Sequence, residues 1–474
     1  MALNEAYIRK IVTETLSKLE LGDTGDAAAP SFSGNGNGWL FDDANDAVAA
    51  AKHAQAGLKK LSLEKRGELI AAMRSAALQN AEYLAELAHK ETGYGSVAHK
   101  IGKNKLAATK TPGIEDLHPM AYSGDRGLTI VEGAPYGVIG SITPSTNPTS
   151  TVINNSISMI AAGNSVVYNP HPAAKHASQE AIRILNEAVV SVGGPIGLMT
   201  TVKEPTLESG KIIMEHKDIP ILAITGGEAV VSVAMRTGKK VIAAGPGNPP
   251  VIVDDTAEIS RAAKDIVDGA SYDNNVLCVA EKEVFALDSI FDRLVNEMIG
   301  QGSYKITDDE LSKVVATVFN VKDGIYTIKR EFVGRDATYI LDRAGVDYIG
   351  RPRLVIAEVD KNHPFIQIEM LMPVLGMVRV YSFDEALEAA YNAEHGNRHS
   401  AMIHSTNIHN MSAAAETMDT TIFVKNGPSY SGLGFDGEGY ATLTIATPTG
   451  EGLTSAKSFT RARRCVIRGD FRFV

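Results

Sequence analysis

The chain has 474 residues, 44% of them hydrophobic and 22% charged, with a formal net charge of −10; this is long enough for two or three packed domains, and the negative balance argues against a nucleic acid or an anionic membrane as partner. No apolar run approaches the ~18 residues that a membrane-spanning helix needs. Two cysteines far apart, Cys278 and Cys465, make no disulfide framework, and without a secretory signal pattern the expected location is a reducing cytoplasm.

Residues 3–19 place Leu3, Tyr7, Ile8, Ile11, Val12, Leu16 and Leu19 on one face among polar residues, which predicts an amphipathic helix over residues 1–20. Residues 21–38, rich in Gly, Asp, Ala and Ser, read as a flexible linker. A helix on such a tether either docks into a groove on another protein or packs back on its own chain or a neighbouring copy. Its polar face mixes Glu with Lys and Arg, which disfavours a membrane.

Asp42 or Asp43 can cap a helix carrying Ala47, Val48, Ala51, Ala54 and Leu58. A second helix is predicted from near Ser62, with Leu69, Ile70, Met73, Ala77, Leu84 and Leu87 on its apolar face; neither helix is assigned chemistry. Leu128–Val131 reads as a strand. From Tyr136 onward strands (137–142, 165–168, 198–202, 219–225) alternate with helices (149–162, 173–190, 208–216, 228–237). This alternation predicts a parallel sheet with helices on both faces. Ligands bind at the carboxyl ends of such strands, so loops 143–148, 169–172 and 225–228 are the candidate site. Gly226-Gly227 before a helix suits a pyrophosphate, although two glycines also make an ordinary turn. Gly432-x-Gly434-x-x-Gly437 matches a dinucleotide pattern literally. It leads into strand-like Ala441–Ile445 and not a helix, so it reads as a flexible loop near a ligand.

The helical spacing of Ile259, Ala262, Ala263, Ile266 and Val267 precedes Ser271-Tyr-Asp-Asn-Asn-Val-Leu-Cys278-Val-Ala-Glu-Lys-Glu283, and Val284–Leu287 follows as a buried strand. Cys278 therefore lies in a helix-to-strand connection, where a scaffold can present a nucleophile. A free thiol ionises near ~8.5, so a catalytic role requires help from its surroundings; most lone cysteines are small buried hydrophobes. His395, His399, His404 and His409 have spacings that suit metal ligands on a helix. Gly396 and Asn397 break the period and no Cys or carboxylate completes a set, so no metal is assigned. Cys465 fits a C-terminal strand.

Four stretches now coincide: Thr143-Pro-Ser-Thr-Asn147-Pro148, Thr225-Gly226-Gly227, Ser271 to Cys278, and Glu369-Met-Leu-Met-Pro373-Val374. In this order and spacing they resemble the aldehyde dehydrogenase superfamily, and the Tyr-Asp-Asn-Asn-x-x-Cys-x-Ala-Glu-Lys run is similar to its CoA-acylating branch. The resemblance covers Trp39 to Val474. The N-terminal helix and linker resemble the encapsulation peptide of the microcompartment enzymes that act on propionaldehyde or acetaldehyde.

The resemblance implies an α/β, aldehyde dehydrogenase-like fold. It has a Rossmann-type domain for NAD(H) and CoA over 39–243 and an α/β catalytic domain over 244–427. A segment over 428–474 returns to the cofactor domain and forms a small oligomerisation element of a homodimer or homotetramer. It implies Cys278 as nucleophile and the Asn147 amide, with the Cys278 backbone N–H, as oxyanion stabiliser. Thr143, Pro144, Ser145, Thr225, Gly226 and Gly227 fall in cofactor loops, Thr225 and Gly226 near the pyrophosphate, and Glu369 matches the carboxylate that holds the nicotinamide ribose. The superfamily's cofactor lysine falls in Asn169–Pro172, where none stands; Pro170 and His171 occupy the place, and the choice of NAD or NADP stays open. Hydrolytic members carry a glutamate where this chain has Ala244. Without that base a thioester should wait for the thiol of CoA. The expected reaction is reversible, NAD-dependent oxidation of a short-chain aldehyde to acyl-CoA inside a bacterial microcompartment, with residues 1–20 docked on a shell protein. The rivals are a hydrolytic aldehyde dehydrogenase and a non-catalytic, shell-associated scaffold on the same fold.

Overall fold

Two parallel sheets organise residues 38–471, the part of the chain that the computed structural model describes. The amphipathic helix expected over 1–20 and nearly all of the linker lie outside these residues. The first sheet has the spatial order Leu40–Phe41, Met199–Val202, Ser165–Pro170, Val138–Thr143, Ile221–Thr225, Lys240–Ala244, with every neighbouring pair parallel. Its strands are runs such as Ser165-Val-Val-Tyr168 and Ile221-Leu-Ala-Ile224, all buried, as expected of a sheet covered on both faces. The chain steps outward from Val138–Thr143 through two strands, then returns to add Ile221–Thr225 on the other side. The strand order reverses there, so a crevice opens at the carboxyl ends of Thr143 and Thr225.

The second sheet begins at Pro250 and has seven strands, in the order Ser303–Lys305, Leu354–Glu358, Val374–Val380, Glu283–Leu287, Pro250–Val253, Ser400–His404, Ile422–Lys425, again all parallel. Glu283–Leu287, which follows Cys278, is its central strand. The helix Ile259–Ser271 buries Ile259, Ala262, Ala263, Ile266 and Val267 in the core beneath this sheet. At about 1.5–3 kcal/mol per buried Ile or Val, this face anchors the segment that leads to Cys278. A three-stranded antiparallel sheet joins Met120–Gly124, Gly127–Pro135 and Thr460–Arg468, with Cys465 opposite Ile130. No helix among the described residues is long and apolar enough to cross a membrane.

Three elements differ from the sequence reading. The helix expected from Ser62 is two helices, Leu63–Gln79 and Ala81–Thr92; Asn80 leaves helical geometry and its amide donates to the Ala76 carbonyl at 2.8 Å. Ala441–Ile445 is not a strand: only Ile445–Ala446 pairs, with Gly452–Leu453. The backbone there takes side-chain partners, with the Leu443 N–H donating to Asn154 Oδ1 at 3.0 Å and the Thr444 N–H to Thr442 Oγ1 at 3.2 Å. The helix Val97–Lys110, N-capped by Ser96, was not anticipated, because Lys100, Lys103 and Asn104 occupy its buried face where apolar residues would mark one.

Candidate active site

A cavity of about 380 Å³ lies where the first sheet's crevice meets the Cys278 loop. The strand ends supply Thr143, Pro144, Ser145 and Asn147, then Pro170 and His171, then Thr225, Gly226 and Gly227; the second sheet's side supplies Cys278 and Glu369. All the catalytic and cofactor residues that the resemblance implied thus border one space. Ala244 borders it too, as does Leu433 of the glycine loop.

The Asp273-Asn274-Asn275 run sets the path to Cys278. All three residues take left-handed backbone, with φ of 48°, 53° and 66°. Asn and Asp tolerate that region better than other side chains, which accounts for their use here. Asn275 Nδ2 donates to the carbonyls of Ala270 and Glu281, at 2.8 and 2.9 Å. The buried Lys282 ammonium donates to Asn275 O at 2.9 Å, Asn275 Oδ1 at 2.6 Å and Leu277 O at 3.4 Å. The residues before the cysteine are therefore tied to those after it.

Cys278 is half-buried. Burial first, and then the Glu369 carboxylate, push its thiol up to about 11, while Lys282 and Lys103 pull the other way. Glu369 is itself raised by burial, opposed by Lys282 and by the backbone N–H of Gly247 that donates to it. Gly247 is required by close approach: a Cβ there would stand 2.9 Å from the His399 ring and 3.1 Å from the Cys278 carbonyl oxygen. His399 is buried and its pKa is pushed down to about 4 by burial, so its imidazole is neutral at pH 7. Glu283 is fully buried with neither carboxylate oxygen hydrogen-bonded, and burial raises its pKa well above the usual range.

Asn147 N-caps the helix Pro148–Ala161 through its backbone, without a side-chain cap bond. Its side chain is held from the unanticipated helix: Lys103 Nζ donates to Asn147 Oδ1 at 2.5 Å, and also to Asp273 Oδ2. Sequence reasoning missed Lys103, Asp273, Lys282 and His399. The Asp-Asn-Asn run was a visible signal for the second of these, since such runs favour left-handed backbone. His171 is exposed, its Nδ1 accepting from Ala173 N at 3.1 Å. The other histidines scatter: His395 Nε2 meets the Gln367 carbonyl at 3.0 Å, His404 is buried at a strand end, and His409 lies on the helix Ile408–Met418. Among the described residues no three His, Cys, Asp or Glu are grouped to hold a metal ion.

The aldehyde dehydrogenase family profile matches residues 41–437. An acetylating acetaldehyde dehydrogenase of Bilophila wadsworthia is 49% identical over 488 residues, with 100% of each chain covered. A propionaldehyde dehydrogenase from the Clostridium phytofermentans fucose utilisation bacterial microcompartment is 50% identical with a TM-score of 0.89, covering 91% of this chain and 99% of that one. Rhodopseudomonas palustris propionaldehyde dehydrogenase, solved with bound CoA and an acylated cysteine, is 46% identical with a TM-score of 0.89, covering 91% of this chain and 98% of that one. A parallel sheet with its crevice at Thr143 and Thr225, a second parallel sheet presenting Cys278 into that crevice, and matches along nearly the whole length agree: the chain belongs to the aldehyde dehydrogenase family.

Proposed function

We propose that the protein is a CoA-acylating aldehyde dehydrogenase that oxidises a short-chain aldehyde, acetaldehyde or propionaldehyde, to its acyl-CoA with reduction of NAD. The observation that carries this reading is the composition of the cavity wall. It joins a thiol and a carboxamide, but Ala244 stands where a water-activating glutamate would, and among the described lining residues Glu369 is the one carboxylate.

The lining residues fit a nicotinamide dinucleotide. Thr143 Oγ1 is buried without a hydrogen-bond partner, and the helix Glu228–Met235 starts at Gly227 with no side-chain cap. Both leave polar groups for a pyrophosphate. Glu369 would hold the nicotinamide ribose, with Pro144, Ser145, Thr225, Gly226, Pro170 and His171 around the remainder. When bound, the dinucleotide supplies the hydride acceptor.

Cys278 acts as its thiolate and forms an S–C bond to the aldehyde carbon, placing a negative charge on the former carbonyl oxygen. The Asn147 amide and the Cys278 backbone N–H donate to that oxygen, a role in which a single donor is worth about 10²–10³ in rate. Loss of hydride leaves a thioester on Cys278. Ala244 offers no base to activate water, so the thioester persists until the CoA thiol, having lost its proton, attacks and expels the Cys278 thiolate. The sum is aldehyde, CoA and NAD to acyl-CoA, NADH and a proton, and it runs in either direction.

NADH formation from propionaldehyde and NAD, with and without CoA, tests this directly. Sustained turnover only with CoA, giving propionyl-CoA, is expected. Equal turnover without CoA, releasing propionate, would make the enzyme hydrolytic; absence of NADH with C2–C4 aldehydes and either dinucleotide would leave the scaffold reading. We further infer the domain division at 243/244 and 427/428, assembly as a homodimer or homotetramer through the exposed antiparallel sheet, and placement in a bacterial microcompartment through residues 1–20. Deleting residues 1–20 should leave activity intact and abolish co-purification with shells; lost activity would make them part of the catalytic fold.

A further inference from the structure

We propose that Lys103 is a positioning residue for acyl transfer: its buried ammonium, anchored by Asp273, locks the Asn147 carboxamide with the N–H side free for the reacting carbonyl oxygen. The inference rests on the reading of Asn147 as the oxyanion donor.

An ammonium has three donors and no acceptor. The atom of Asn147 that faces Lys103 Nζ at 2.5 Å must therefore be the oxygen, and Nδ2 must face the other way. Nδ2 donates to Thr146 Oγ1 at 3.2 Å and keeps a second hydrogen in reserve. Without Lys103 the carboxamide can turn over, and the turned form presents an oxygen lone pair to a developing oxyanion, exchanging attraction for repulsion. A locked amide has no reorganisation left to do during the reaction, which is the condition under which such donors are most effective.

Lys103 donates to Asp273 Oδ2, and so does Lys100 Nζ at 3.1 Å. The side chains of Lys100, Lys103 and Asp273 are 3%, 3% and 0% exposed. Burial alone would raise the Asp273 carboxyl; Lys103 and then Lys100 outweigh it and hold the group low, so it is ionised. Two lysine amines thus share one carboxylate away from water; burial and then Lys103 lower the Lys100 pKa to about 8, so Lys100 is still mostly an ammonium at pH 7. A purely structural ion pair gains nothing from the second cation, since an uncompensated buried charge is costly. The surplus positive charge is complementary to a negative charge that appears only during the reaction, next to Asn147.

Asp273 Oδ1 accepts from the Ser96 N–H at 2.8 Å, and the Asp273 N–H donates to His99 Nδ1 at 2.8 Å. Gly95 makes room for the carboxylate: a Cβ there would lie 1.9 Å from Asp273 Oδ1. Asp273 belongs to the same left-handed run that delivers Cys278. One carboxylate therefore fixes the approach of the nucleophile and, through Lys103, the donor that receives the charge the nucleophile creates.

The test is a double-mutant cycle in the CoA-dependent assay of the full-length enzyme, with Lys103→Met, Lys103→Arg, Asn147→Ala and the Lys103→Met/Asn147→Ala pair. Lys103→Met is expected to lower kcat by about 10–10²-fold while the aldehyde KM stays within about threefold, and Lys103→Arg is expected to recover most of the rate. In the Asn147→Ala background the same Lys103→Met change should cost less than about threefold, because the group it positions is gone. Equal loss of kcat in both backgrounds, or a Lys103→Met enzyme as fast as the parent, overturns the inference. Asn147→Ala at the parent rate would overturn the oxyanion assignment itself, a separate outcome. Thermal unfolding accompanies each variant; if Lys103→Met does not fold, Lys103→Gln takes its place with the same non-additivity expected.

Discussion

Alkylating Cys278 across a range of pH reads the resting electrostatics of the cavity. With the thiol held up at about 11 by burial and by Glu369, the ionised fraction at pH 7.5 is about 0.03%, against about 9% for a thiol at the ordinary ~8.5. Alkylation proceeds through the thiolate, which alone would slow it roughly 300-fold. A more basic thiolate is also a better nucleophile, recovering about tenfold over that pKa difference, so the net retardation is about 20–30-fold. Glutathione labelled in parallel provides the comparison, because Cys465 lies on the sheet through which the subunits are proposed to assemble. Iodoacetamide labelling followed by peptide mass spectrometry should show Cys278 labelled well after glutathione at pH 7.5. The Cys278 rate should then climb about tenfold per pH unit towards pH 10. Glu369→Gln removes the neighbouring negative charge and should speed Cys278 at pH 7.5. A Cys278 rate equal to that of glutathione, with a plateau below pH 9, would mean that the thiolate is already formed at rest. It would refute the account in which Lys282 and Lys103 fail to offset burial.

Ala244→Glu places a carboxylate on the cavity wall and should yield propionate release without CoA at least about tenfold above the parent's CoA-independent rate, read as NADH formation; no gain would mean that Ala244 does not face the thioester. Gly95→Ala combines a left-handed φ of 64° with the Asp273 clash, so denaturant unfolding should show a loss of about 2–5 kcal/mol, and an unchanged midpoint would show that the Asp273 loop yields freely. Glu281, which accepts from the Ser429 N–H and hydroxyl at 2.7 Å each, is raised by burial to about 7. A raised acid contributes its stabilisation fully below the unfolded value near ~4.3 and loses it at about 1.4 kcal/mol per pH unit as pH rises to the folded value. Relative to Glu281→Gln, the parent should therefore lose about 2–3 kcal/mol between pH 5 and pH 8 in denaturant titrations, and parallel stability curves would contradict the shift.

The parts of this protein that were legible in its sequence are those where function follows the regular pattern. Strands buried on both faces are continuous runs of Val, Ile and Ala between glycine and proline turns, so the alternation from Tyr136 to Gly247 marked a parallel sheet, and the carboxyl ends of its strands marked the crevice. Asn147, Thr225, Cys278 and Glu369 all border that space. What escaped notice breaks the pattern. The helix Val97–Lys110 turns Lys100, Lys103 and Asn104 inward, so its inner face has the composition of an outer one, and the explanation for Lys103 lies 170 residues away at Asp273. His399 looked like one of a histidine cluster. Its ring packs against Gly247, where a Cβ would stand 2.9 Å from it and 3.1 Å from the Cys278 carbonyl oxygen. Ala441–Ile445 has the composition of a strand, but its amides are taken by Asn154 and Thr442 before a ladder can form. In each case a long-range polar partner or a close backbone approach overrides the local rule. Such violations are costly enough that a fold retains few of them, and they concentrate where chemistry is carried out. A lysine on the inner face of a helix is therefore a better pointer to the reacting centre than any of the helices whose faces obey the rule.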